Sequence, residues 1–220
     1  MPERCVRVQR KREQLVKQKR QEMTKVVIVT EGERTEYNYF NAISQTFLRE
    51  RTGIRIETSG GNSAPGQVLD KAMKLRVEYP KATVFIVIDD DERARDELQN
   101  VLDKCNPLGE IKPTGINCIL SNRSFEFWGL LHFQNNSRAY TRGKLYAEVA
   151  KYFKSFNPDR NKVLEFKYLG KTSREQWARI QTAIENAKSV RSQNGYHICS
   201  VTNVDQLLEC MVQRLGLWPM

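Results

Sequence analysis

Four short runs rich in β-branched residues, Val26–Thr30 (VVIVT), Ile54–Thr58 (IRIET), Thr83–Ile88 (TVFIVI) and Gly115–Leu120 (GINCIL), are each followed by a stretch of helical periodicity. Runs with no polar interruption fill strands buried on both faces, and strands that alternate with helices specify a mostly parallel sheet covered by helices on both sides. The first helix spans about Glu36–Arg49, with Tyr39, Phe40, Ile43 and Phe47 on one face, and the second spans Pro65–Glu78, with Val68, Leu69, Ala72 and Leu75. DDDERARDELQNVLDKC and SNRSFEFWGLLHF supply the helices after strands three and four. In such a sheet, ligands collect outside the carboxyl ends of the strands.

Beyond Phe133 the rhythm changes. After the polar QNNSRAYTRGK, helices are expected at Lys144–Phe156, Thr172–Val190 and Val204–Leu215, the last stopped by Gly216. Both Thr172/Glu175 and Ser173/Gln176 fit a capping box at the start of the second of these. The expected organisation is a basic arm over residues 1–25, flexible or partly helical, an α/β core over 26–140, and a basic, mainly helical region over 141–220 packed on that core.

The charge of +10 is unevenly placed: residues 1–25 carry net +6, residues 26–141 net −2 and residues 142–191 net +7. Basic flanks round an acidic centre suit a polyanion, because Lys and Arg that neutralise phosphates release condensed counterions; the alternative is a solvated face. With 40% apolar residues the chain can fill a core. It has no apolar run of the roughly 18 residues that span a bilayer, so no membrane is expected. The basic N-terminal stretch lacks the apolar segment of a secretory signal. Cys5, Cys105, Cys118, Cys199 and Cys210 are odd in number, scattered and without a CxxC pair, which argues against a disulfide framework or a structural zinc and for a reducing cytoplasm.

Two acidic clusters follow strand ends directly: Glu31, Glu33 and Glu36 in TEGERTE after strand one, and Asp89–Glu92 in IDDDE after strand three. Carboxylates that converge repel unless a cation sits between them, and hard oxygen ligands of this charge select Mg²⁺ or Mn²⁺. Glu31, Asp89 and Asp91 are therefore read as metal ligands. Glu92, Asp96 and Glu97 are read as helix-dipole acids. If extended geometry persists past Ile88, Asp89 and Asp91 share a side and Asp90 points away.

A strand ending in Glu-Gly (Glu31-Gly32), followed later by a strand ending in Asp-x-Asp (Asp89-Asp90-Asp91), resembles the Toprim signature of topoisomerases, primases and several nucleases. The fuller pattern resembles the RloB family, Toprim-type proteins associated with bacterial restriction and phage-defence loci. The similar segments are VVIVTEGERTEYNYF, VFIVIDDDER and SNRSFEFWGLLHF, with the basic arm and the late AIENAK and TNVDQLL. The resemblance implies a Toprim fold, a Mg²⁺-dependent nuclease-like activity and Glu36 as a further site residue, with a first-turn acid as its alternative. It does not name the substrate. The continuous DDD departs from a pattern whose middle position is variable.

Glu126, in the first turn after strand four, can complete the metal shell or complement the helix dipole. His132 can shuttle protons or pack among Leu130, Leu131 and Phe133. The SGGNSAPG turn can cradle phosphate or simply connect strand to helix. The basic third after residue 141 interleaves Lys151, Lys154, Lys162, Lys167, Lys171 and Arg174 with Tyr152, Phe153, Phe156 and Tyr168, which suits stacking on nucleic acid. Lys171 is the expected transition-state cation. These readings combine into a Mg²⁺-dependent phosphodiesterase acting on DNA or RNA. The alternative is a non-catalytic nucleic-acid-binding subunit, or one that senses a partner protein, in a defence system.

Overall fold

The computed structural model describes residues 3–48, 53–60, 64–90, 95–136, 138–160, 162–194 and 200–216. Strands β1 (Val26–Thr30), β2 (Ile54–Thr58), β3 (Thr83–Asp89), β4 (Ile116–Asn122) and β5 (Val201–Thr202) form one sheet in the order β2-β1-β3-β4-β5. The first four are parallel, and β5 pairs antiparallel with β4. The expected mostly parallel α/β sheet flanked by helices is what the chain forms. Among the described residues no helix is long and apolar enough to cross a membrane.

Alternation of side chains along the strands builds a core on each face. Val27 and Val29 of β1 with Val84, Ile86 and Ile88 of β3 point to one side. There they meet Val68, Leu69, Ala72 and Leu75 of α3 (Pro65–Glu78) and Leu98 and Val101 of α4 (Arg95–Leu102). Val26, Ile28, Phe85, Val87 and Ile119 point to the other. That face is covered by α2 (Thr35–Phe47), α5 (Glu126–Leu131), α6 (Arg142–Tyr152), α7 (Ser173–Asn194) and α8 (Val204–Leu215). The region after residue 141 therefore shares one core with the sheet, and it also supplies β5.

The edge at β5 is only two residues long, and side chains complete it. Ser121 and Thr202 join their hydroxyls at 2.9 Å. The buried Asn203 amide accepts from the Leu120 N–H (2.7 Å) and donates to the Cys118 carbonyl (3.0 Å), satisfying β4 backbone groups that lack a strand partner. Asp205, fully buried, holds Arg191 in a bidentate pair at 2.6 Å.

The basic arm is a continuous helix, α1 (Glu3–Met23), not a partly helical tail. From Arg12 to Arg20 it is exposed throughout, and Lys17 reaches Glu78 of α3 at 3.7 Å.

Strand order fixes where a ligand would go. β2 lies on one side of β1 and β3 on the other, so the connections that leave β1 and β3 cover opposite faces and a crevice opens between their carboxyl ends.

Candidate functional site

β3 runs two residues further than β1, whose Thr30 is level with Val87. Glu31 makes one more ladder bond, its N–H donating to the Val87 carbonyl at 3.0 Å, and the chain then leaves the sheet. The Asp89 N–H has no β1 backbone to meet, and the Glu31 carboxylate accepts it at 3.2 Å. On the other side the Asp90 N–H donates to the Ser121 carbonyl at 2.9 Å. The end of β3 is thus pinned from both sides. The Asp89 side chain is left at the crevice, with Oδ1 enclosed and without a hydrogen-bond partner.

Gly32 is closely approached: its φ is not positive, but a Cβ there would collide with Glu36 Oε2, so the Glu36 carboxyl would have to move. The bare backbone lets Glu36, in the first turn of α2, fold its carboxyl back beneath the turn, where it is buried. Beside it, Thr35 donates its hydroxyl to Glu126 Oε1 at 3.2 Å, tying α2 to the first residue of α5. Glu126 is itself buried.

Glu31, Glu33, Glu36, Asp89 and Glu126 line one open cavity of about 510 Å³, with Arg34 in the turn between Glu33 and Thr35. Arg142, Tyr146, Pro158, Asp159 and Lys162, from the region after residue 141, complete its lining. Burial, then Glu126 and Glu31, push the Glu36 carboxyl up to about 8, against a smaller pull from Lys162. Burial, then Glu36, Glu126 and Glu31, hold the Asp89 carboxyl well above the usual range, with Arg142 opposing. Both groups resist ionisation in the metal-free protein. Hard oxygen donors, an enclosed and unpartnered Asp89 oxygen and mutually repelling neighbours fit a divalent cation. Among the described residues, however, no three or more His, Cys, Asp or Glu side chains are arranged to hold a metal ion. Asp91, read from the sequence as a ligand, lies outside the described residues.

The structure thus brings together Glu31, Glu36, Asp89 and Glu126, while Asp90 does not line the cavity. Two expected site residues are elsewhere. His132 is fully buried behind α5, with Nε2 3.0 Å from the Tyr39 hydroxyl and Nδ1 3.0 Å from the Trp128 carbonyl. A carbonyl only accepts, so Nδ1 carries the proton and Nε2 accepts from Tyr39. Burial pushes its pKa down to about 4, so His132 is a packed neutral group and not a shuttle. Lys171 is exposed, does not line the cavity, and donates its backbone N–H to Glu175 at 2.6 Å in the turn that starts α7. The chain has already passed the cavity at 158–162. The cations at the site are Arg34, Arg142 and Lys162, of which only Lys162 stood among the expected basic residues, and nothing in its spacing singled it out.

The SGGNSAPG turn has its centre, residues 61–63, outside the described residues, and its described members do not line the cavity.

No curated protein and no solved structure matches the chain. A family model described as RloB-like protein matches residues 26–211, which takes in the whole sheet and every residue that lines the cavity. The chain belongs to the RloB-like family.

Proposed function

We propose that this protein is a Mg²⁺- or Mn²⁺-dependent phosphodiesterase that cuts DNA or RNA, acting in the cytoplasm in the phage-defence setting the family resemblance implies. The observation that carries the reading is the union, at the β1/β3 crevice, of Glu31, Glu36, Asp89 and Glu126 with the cations Arg34, Arg142 and Lys162, in a cavity that Glu33 and Asp159 also line. Burial and the neighbouring acids disfavour ionised Glu36 and Asp89 unless a cation bridges them, and the cations match the charge of a phosphodiester. Asp89, Glu31, Glu36 and Glu126 line the crevice without forming a ready-made metal cluster in the metal-free protein, so they would have to converge to hold the ion, with Asp91 as a further candidate. When bound, such an ion supplies Lewis acidity at a phosphoryl oxygen and activates water.

The chain's own residues do the rest. Arg142 and Lys162 offset the charge of the phosphate group and stabilise the charge that develops on it. Thr35 orients Glu126, and the Asp89 N–H orients Glu31. Because Glu36 holds its proton up to about pH 8, loading of the site releases protons near neutral pH.

Purified protein incubated with plasmid, single-stranded DNA, tRNA and total RNA, with Mg²⁺, Mn²⁺ or EDTA, tests the proposal. Cleavage that needs the metal and disappears in Glu31→Gln and Asp89→Asn is the expected result. Binding of these nucleic acids without any turnover would replace the enzyme by a binding subunit.

A further inference from the structure

The lining that residues 157–162 supply is built as a unit with Arg34 and Tyr146. Asn157 Oδ1 accepts from the backbone N–H groups of Asp159 (2.9 Å) and Arg160 (3.1 Å), which fixes the 157–160 turn. Arg34, from the β1–α2 turn, donates to the Arg160 carbonyl at 3.0 Å and ties that turn to the metal side of the cavity. Lys162, just beyond, rests its ammonium 5.2 Å from the centre of the Tyr146 ring and 3.4 Å from its hydroxyl. Tyr146 is held on α6 by an edge contact with Phe156 at 5.7 Å. An aromatic ring therefore lines the cavity together with Arg34, Arg142 and Lys162, and with acids that include Asp159.

We propose that Arg34, Arg142, Lys162 and Tyr146 form a single-strand binding wall that takes one unpaired nucleotide, its base on the Tyr146 ring and its flanking phosphates on the cations. This deepens the phosphodiesterase reading by naming the form of its substrate. Two considerations favour it over a duplex. A cavity of about 510 Å³ is the size of a single-ligand pocket, and a base pair cannot enter it without leaving its stack. A ring beside backbone-binding cations is the arrangement that holds single strands without reading their sequence. The Lys162 ammonium lies towards the hydroxyl end of the ring and leaves its face to a base.

The test measures binding in EDTA, so it does not depend on metal loading or turnover. A short fluorescein-labelled single strand of DNA, one of RNA, and the duplex of the same sequence are titrated over a salt series. The single strands are expected to bind more tightly than the duplex. Tyr146→Ala is expected to weaken single-strand binding about tenfold, as loss of one stacked base does, while Tyr146→Phe keeps it. Lys162→Ala is expected to lower the salt slope by about 0.7, the value for one lost phosphate contact on a single strand. Lys162→Ala alters a half-exposed side chain and keeps the test decisive if Tyr146→Ala does not fold. A duplex bound as tightly as the single strands, or single-strand affinity indifferent to both Tyr146→Ala and Lys162→Ala, would overturn the proposal. Metal-dependent cleavage with such indifference leaves the enzyme reading intact and removes this one. Tight single-strand binding that depends on these residues, without cleavage under any metal, does the reverse.

Discussion

Glu36 and Asp89 are acids held in their neutral form by burial and by the neighbouring Glu126 and Glu31, which makes pH a probe of the site. For Glu36 the folded pKa of about 8 exceeds the ordinary 4.5. Between these values the native state binds more protons than the unfolded one. Stability from this group is therefore present at low pH and lost as pH rises through about 8. Thermal melting of the metal-free protein should show a fall in melting temperature over that window, and Glu36→Gln should flatten it. Asp89→Asn replaces a protonated carboxyl by its neutral isostere, so the metal-free melting temperature should stay the same or rise while metal binding is lost. A marked fall in melting temperature for Asp89→Asn would make Asp89 a structural hydrogen-bonding group. Gly32→Ala should displace the Glu36 carboxyl and weaken metal binding in a protein that still folds, read by circular dichroism beside a Mn²⁺ titration. His132 works in the opposite sense. Its folded pKa of about 4 lies below the ordinary 6.5, so its contribution is complete above about 6.5 and is lost as pH falls towards 4.

The elements divide into those that local pattern determines and those that tertiary contacts determine. β1, β2, α3 and α8 fall on the expected residues because uninterrupted β-branched runs, Pro65 at a helix start and Gly216 in the left-handed conformation are local signals. That Glu31 and Asp89 would meet at one end of the sheet was legible for the same reason, since each stands at the end of a strand that pattern alone locates. β5 was not legible: two residues carry no period, and the strand exists because Asn203 and Thr202 bond to β4. Asn203→Ala would leave a buried N–H and a buried carbonyl unpaired, and should destabilise the protein by about 2–4 kcal/mol in denaturant unfolding. A loss below 1 kcal/mol would show that water replaces the amide. α1 was read as flexible or partly helical because the segment has few large apolar residues and no clear stop signal; it is a helix on which Val8, Leu15 and Val16 are exposed. Deleting residues 1–22 should leave the melting temperature nearly unchanged, weaken polyanion binding and flatten its salt dependence. A large loss of thermal stability would make α1 part of the folded core.

Across the whole molecule, charge and topology act together. The sheet supplies a crevice whose floor is acidic, and the basic region after residue 141, net +7 over 142–191, supplies Arg142 and Lys162 to its lining. The expected boundary at residue 140 separates sequence character but not core: Leu145, Val149, Ile180 and Leu207 pack in the same cluster as Val26 and Phe85. Lys171 was misplaced for this reason, because composition marks the basic region as a whole and only the packing of α6 and the 157–160 turn decides which of its cations face the carboxyls. The central claim is that these carboxyls form a cation site whose occupancy displaces protons. Calorimetric titration of Mn²⁺ at neutral pH, in two buffers of different ionisation enthalpy, measures binding and proton release together. Binding that releases protons in the wild type, is lost in Asp89→Asn, and releases fewer protons in Glu36→Gln is the expected result. No Mn²⁺ binding by the wild type, or binding and proton release unchanged in both variants, would contradict it.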